Sequence, residues 1–187
     1  MRKELMVFIS MIVIAASGYS FYYFNQYHIE DNDVSIQSNL DTWLNRPNSE
    51  EINPVVLKVE KLGDTTSHII LFQLENGDYG YARLEKGLNG KFKIDIAAYG
   101  SGQGRGLQNA SYRVTDTSEG EYMILYGKNP DLKIDHILAT AHTGEYDLTF
   151  NVSEDKTFFQ SAKIPTDVVQ PFPAELSFYD SDNNEIE

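Results

Sequence analysis

The chain opens on an unbroken apolar run. From Leu5 to Phe24 no residue carries a charge. The run has the roughly 20 residues that a helix needs to cross a bilayer. Its first part, Leu5 to Ile14, is strongly apolar, and its far end (Tyr19, Phe21, Tyr22, Tyr23, Phe24, Tyr27) is aromatic. Tyr side chains suit the headgroup level, so this end reads as an interfacial belt. No polar face is present, which argues against a core helix of a soluble domain. A cleaved signal peptide is the competing reading, because Ala15-Ala16-Ser17-Gly18 offers small residues behind a short apolar stretch. The apolar character continues past those residues and favours an uncleaved anchor.

The pattern changes at Asn25. Residues 25–54 are polar and acidic, interrupted by Pro47 and Pro54. Within them Val34, Ile36, Leu40, Trp43 and Leu44 recur at helical spacing, which predicts a short packing helix over about 34–46 that ends before Pro47. From Val55 the period becomes two. Lys91 to Ile96 and Tyr146 to Val152 alternate apolar with polar, as antiparallel strands with one solvated face do. Further strands are predicted over 55–61, 68–75, 79–85, 111–115, 121–126, 133–139, 157–162 and 176–179. His68 to Leu74 is apolar on both faces and predicts a central strand. Asn76-Gly77-Asp78 is a strong hairpin signal, and Asn89-Gly90, Gly127 to Asp131 and Thr143-Gly144 mark further turns. Turn signals at this spacing, without long helical patterns between them, predict a mainly β chain. The expected architecture is an N-terminal transmembrane helix followed by an antiparallel β-sandwich or open barrel of about eight to ten strands. One domain after residue 54 is favoured over two halves splitting near Gly127–Pro130.

Charge and composition narrow the function. Lys+Arg number 15 against Asp+Glu 28, a formal net charge of −13, and cysteine is absent. So acidic a chain lacks the basic footprint of a nucleic-acid binder. Without Cys there is no disulfide, thiol nucleophile, Cys-ligated zinc or lipoprotein anchor. Arg2 and Lys3 precede the apolar run and the next basic residue is Arg46, so the positive-inside rule places the N-terminus in the cytoplasm and the remainder outside.

Leu71 to Ala82, Lys86 to Ile94, Tyr126 to Pro130 and Leu176 to Asp180 resemble uncharacterised membrane-anchored proteins of Bacillus-type Gram-positive bacteria. The resemblance extends from about Val55 to the C-terminus. It implies a place outside a single cell membrane, and it implies no activity.

Individual motifs carry little chemistry. Gly100, Gly102, Gly104 and Gly106, with Ser101, Gln103 and Arg105 between them, form the most unusual segment. The alternate glycines match neither a P-loop nor a dinucleotide loop. The plain reading is a loop rich in positive-φ positions, and the sharper one is a binding loop with Arg105 as its charged contact. His136 and His142, with Glu145 nearby, offer nitrogen and carboxylate ligands for a metal, but ordinary surface or edge histidines are the expected reading. Asp180 to Glu185 has the acidic rhythm of a calcium loop but lacks its glycine and terminal ligand, so a polar turn is expected. No Gly-x-Ser-x-Gly motif occurs. The resemblance to bacterial proteins leaves the sequons at Asn109 and Asn151 uninformative.

The expectation is therefore a cytoplasmic tip and anchor over 1–27, a polar juxtamembrane spacer over 28–54 and an extracytoplasmic β domain over 55–187. It touches the membrane through residues 5–24 and binds an envelope protein or a wall component. No catalytic residue, metal or cofactor is assigned. A passive structural protein and a carboxylate-dependent envelope hydrolase are the alternatives.

Overall fold

The computed structural model describes residues 2–46, 51–99, 110–141 and 146–186. Two helices precede eleven strands among them. Helix α1 spans Arg2–Gln26, and its apolar side chains project away from the rest of the chain. Helix α2 spans Asp33–Asn45, and the Asn32 side chain caps it by accepting from the Ser35 amide. Its Ile36, Leu40 and Leu44 face inward.

The strands form three antiparallel sheets. The first is ordered β1 (Val55–Lys61), β2 (Ser67–Gln73), β3 (Tyr79–Lys86), β4 (Phe92–Tyr99). The second has β6 (Gly120–Lys128) between β5 (Ala110–Thr117) and β9 (Thr157–Lys163). The third is ordered β11 (Glu185–Ile186), β10 (Ala174–Tyr179), β7 (His136–Ala141), β8 (Asp147–Asn151).

Three apolar clusters order these pieces as layers. Ile36, Leu40 and Leu44 of α2 pack with Ile70, Phe72, Ala82, Leu84 and Phe92 on one face of the first sheet. The opposite face, through Ile69, Leu71 and Tyr81, meets Tyr122, Ile124, Tyr126 and Phe159 of the second sheet. The second sheet's other face, through Tyr112, Met123, Leu125 and Phe158, meets Ile137, Ala139, Phe150 and Phe178 of the third. Successive residues of a strand point to opposite faces. A strand buried on both faces must therefore be apolar along its buried stretch, and Ile69–Phe72 of β2 and Tyr122–Tyr126 of β6 are. The sandwich expectation holds, with a helix and three sheets as its layers and none of the sheets closed into a barrel.

Polar side chains pin the rims. Arg83 of β3 donates to Thr115 Oγ1 at 2.8 Å and to the Asp116 carbonyl at 2.7 Å, and it pairs with Asp95. Ser161 donates to Glu60 at 2.9 Å. Between the second and third sheets, buried Asn129 donates to the Ile134 and Val152 carbonyls and accepts from the Ile134 amide. Three buried backbone groups thus find partners on one side chain.

Candidate functional site

The segment joining α1 to β1 is built into the domain. Gln26 ends α1, and His28 Nδ1 lies 2.9 Å from the Asn25 carbonyl and 3.1 Å from that of Gln26, so it donates to the helix end. Ile29, buried, then pairs with Phe92 through Ile29 N–H to Phe92 O at 3.0 Å and the reverse bond at 2.7 Å. This pairing shields part of β4, an edge strand. The neighbouring charges interlock: Lys86 with Asp31 at 2.9 Å, Lys91 with Glu30 at 3.0 Å and Lys93 with Glu85 at 2.8 Å.

The aromatic end of α1 divides in two. Tyr19, Phe21, Tyr22 and Phe24 are exposed. Tyr23 and Tyr27 stack at 4.6 Å and hold the β3–β4 turn. The Tyr23 hydroxyl accepts from the Leu88 amide at 2.5 Å, and the Tyr27 carbonyl accepts from Asn89 Nδ2 at 2.9 Å. A side chain at Gly87 would meet the Tyr23 hydroxyl and the Tyr27 ring at 2.6 Å, so the close approach requires glycine there. Periodicity shows only that these tyrosines end an apolar run. It cannot show which of them meets a hairpin from a different part of the chain.

An open groove of about 820 Å³ lies between α2 and β1. Val34, Val56, Leu57 and Val59 line it, with Asp33, Asp41 and Lys58 at its borders. Val34 is 81% exposed, Val55 57% and Leu57 44%. β1 is an edge strand with a bulge between Val56 and Lys58. Edge strands present unpaired backbone groups. Here the Gln37 amide supplies what a neighbouring strand would: Nε2 donates to the Pro54 carbonyl at 2.7 Å, and Oε1 accepts from the Val56 amide at 2.9 Å. A second, smaller concavity of about 200 Å³ lies just past α1, lined by Gln26, His28, Trp43, Arg46 and Lys93 among others. The Arg46 guanidinium lies 3.4 Å over the centre of the Trp43 ring.

The residues singled out in the sequence fall elsewhere. Gly100, Gly102, Gly104, Arg105 and Gly106, between β4 and β5, and His142 and Glu145, between β7 and β8, lie outside the described residues. His136 pairs with Asp135 at 3.0 Å and stacks on Tyr179. Asp180 to Asn184 forms the β10–β11 turn, where the Asp180 carboxylate accepts from the Asn184 side chain and amide and from the Asp182 amide. The Asn184 side chain and these amides hold the Asp180 carboxyl below its usual range. Among the described residues no cluster of three or more His, Asp or Glu is placed to hold a metal ion. Tyr112, buried against the third sheet, donates to the Pro171 carbonyl at 2.9 Å, and burial pushes its hydroxyl up to about 12.

Geometrically, then, this is a layered β-sandwich carrying a helix long and apolar enough to cross a membrane. No family model, curated protein or solved structure matches the chain.

Proposed function

We propose that this is a single-pass membrane protein whose β domain stands on the extracytoplasmic side and binds an extended segment of an envelope partner in the α2–β1 groove. Arg2 and Lys3 ahead of the span support the orientation. The observation that carries the binding reading is the Gln37 amide occupying the β1 edge beneath exposed Val34 and Leu57. An incoming strand offers a carbonyl and an amide at the same spacing and can replace the side chain, while the apolar residues select alternate side chains of the ligand. Binding, with no catalytic step, is the reading, because the groove offers apolar surface and backbone groups.

A photo-crosslinker placed at Leu57 in the full-length chain in native membranes tests this. One partner should be captured from Leu57, through an extended segment mapped by mass spectrometry. Val34→Lys should lose the adduct. A crosslinker at the exposed Val169 should not form it, and identical adducts from both positions would sink the proposal.

A further inference from the structure

We infer that the β3–β4 turn is a second membrane contact, with Leu88 seated in the lipid interface beside α1. This rests on the reading of α1 as a membrane span. Leu88 is 99% exposed, the most exposed large apolar side chain of the described domain. Nothing in the turn's own construction asks for an apolar residue there. The β2–β3 turn has the same hydrogen bonds and carries Glu75 at the equivalent position, and the β10–β11 turn carries Ser181.

The level of Leu88 is set by its partner. A helix rises 1.5 Å per residue, so Leu5 to Phe24 covers about 30 Å, the thickness of the hydrocarbon core. Tyr23 therefore stands at the outer boundary of that core. Helical side chains lean toward the N-terminus, which here is toward the lipid. The Tyr23 hydroxyl that accepts from the Leu88 amide thus lies at or below the level of the Tyr23 backbone. Phe21, Tyr22 and Phe24 are exposed at the same level. The charges flanking the turn do not oppose this placement, since Lys86, Lys91 and Lys93 are each paired with an acid. With those charges neutralised, the contact is apolar and needs no anionic lipid.

The chain has no cysteine, so a single introduced thiol can be labelled at one place. The full chain carrying Leu88→Cys, Glu75→Cys or Ile12→Cys would be labelled with the environment-sensitive dye NBD. Each would be reconstituted into phosphatidylcholine vesicles containing doxyl-labelled lipid. The label at position 88 should emit at shorter wavelength than that at 75. Shallow doxyl lipid should quench it and aqueous iodide should not, whereas 75 should show the reverse. Adding phosphatidylglycerol should leave both unchanged. In a Gly87→Val background, which drives the turn off Tyr23 and Tyr27, the label at 88 should become accessible to iodide. If Ile12 is quenched by lipid while 88 behaves like 75, the inference is overturned and the anchor stands. If Ile12 itself is open to iodide, the membrane reading fails and takes the inference with it.

Discussion

The β2–β3 and β3–β4 hairpins share strand β3 and close with one turn geometry, but one tip is acidic and the other apolar. In the first, the Leu74 amide donates to Asp78 O at 2.8 Å and the Gly77 amide to Leu74 O at 2.9 Å. In the second, Gly87 donates to Lys91 O at 2.8 Å and Gly90 to Gly87 O at 3.0 Å. Gly77 and Gly90 occupy the same left-handed position, at φ 85° and 77°. Asn76 and Asn89 each accept from the amide two residues on. This is the three-residue hairpin loop that ends in a left-handed residue. Backbone demands being equal, the difference lies in the neighbours. Among the described residues the first tip meets its own domain, where Asn53 donates to Glu75 at 3.0 Å and Lys128 to the Gly77 carbonyl at 2.7 Å. The second meets α1. A shared turn thus separates what the fold requires, Asn-Gly, from what the surroundings select, Glu or Leu.

The comparison breaks most severely in the common strand. A Cβ at Gly80 would lie 2.3 Å from the Phe72 ring and 2.7 Å from the Ala98 carbonyl. Gly80→Ala should cost about 3 kcal/mol by overpacking and loosen both hairpins together, as urea unfolding followed by Trp43 fluorescence would read. Gly77→Ala and Gly90→Ala should each cost roughly 1–2 kcal/mol, because a Cβ is disfavoured at positive φ. Equal losses would confirm that the two turns are one geometry, and a large inequality would break the comparison. Tyr23→Phe removes the acceptor of the Leu88 amide and should cost about 1 kcal/mol, confined to the β3–β4 hairpin and visible as faster exchange of the Leu88 amide.

A smaller effect separates the two ends of β3 by pH. His68, at the start of β2, lies edge-on to Phe92 at 4.8 Å. Burial chiefly holds its imidazole below the ordinary value, with Lys86 and Lys61 adding to this against the Thr66 carbonyl and Asp31. The folded state therefore binds fewer protons here than the unfolded state. This stability is present in full above the ordinary imidazole value of 6.5 and is lost as pH falls through the lowered one. Protection of the Lys86 amide, which bonds to the Thr66 carbonyl, should fall relative to that of the Gly77 amide on acidification, once the intrinsic slowing of exchange is divided out. His68→Gln should remove the difference. Smallest of all, exchanging Glu75 for Leu and Leu88 for Glu should leave stability within about 0.5 kcal/mol, since both positions are exposed. A larger loss would mean that the tips are part of the core rather than free to follow their surroundings.

Much of this was legible locally. The two Asn-Gly turns, the strand at Val55–Lys61 and helix α2 can each be read within about a dozen residues, because turn chemistry and periodicity act over that range. The double-faced apolar pattern of His68–Leu74 also announced an interior strand. The α2–β1 groove was not legible. Gln37 and Val56 meet across the Pro47–Pro54 region, and no spacing rule links a helix amide to a strand edge. Nor could Asn129 be told from any other turn residue, since its three partners come from Ile134 and Val152.

What the sequence determined by itself is the local vocabulary: an apolar run of membrane length, an amphipathic helix, strands of period two, and turns where Gly or Asn accepts a left-handed backbone. Each of these follows from the sterics and solvation of neighbouring residues. What only the tertiary structure decided is the arrangement. Strand β9 pairs with β6 and not with its sequence neighbour β8. The second sheet is sandwiched between the other two. Two of the tyrosines ending α1 grip a hairpin more than 60 residues away. Those choices depend on which apolar faces bury one another best and which backbone groups are left to be satisfied. Both are properties of the assembled layers that no single segment carries.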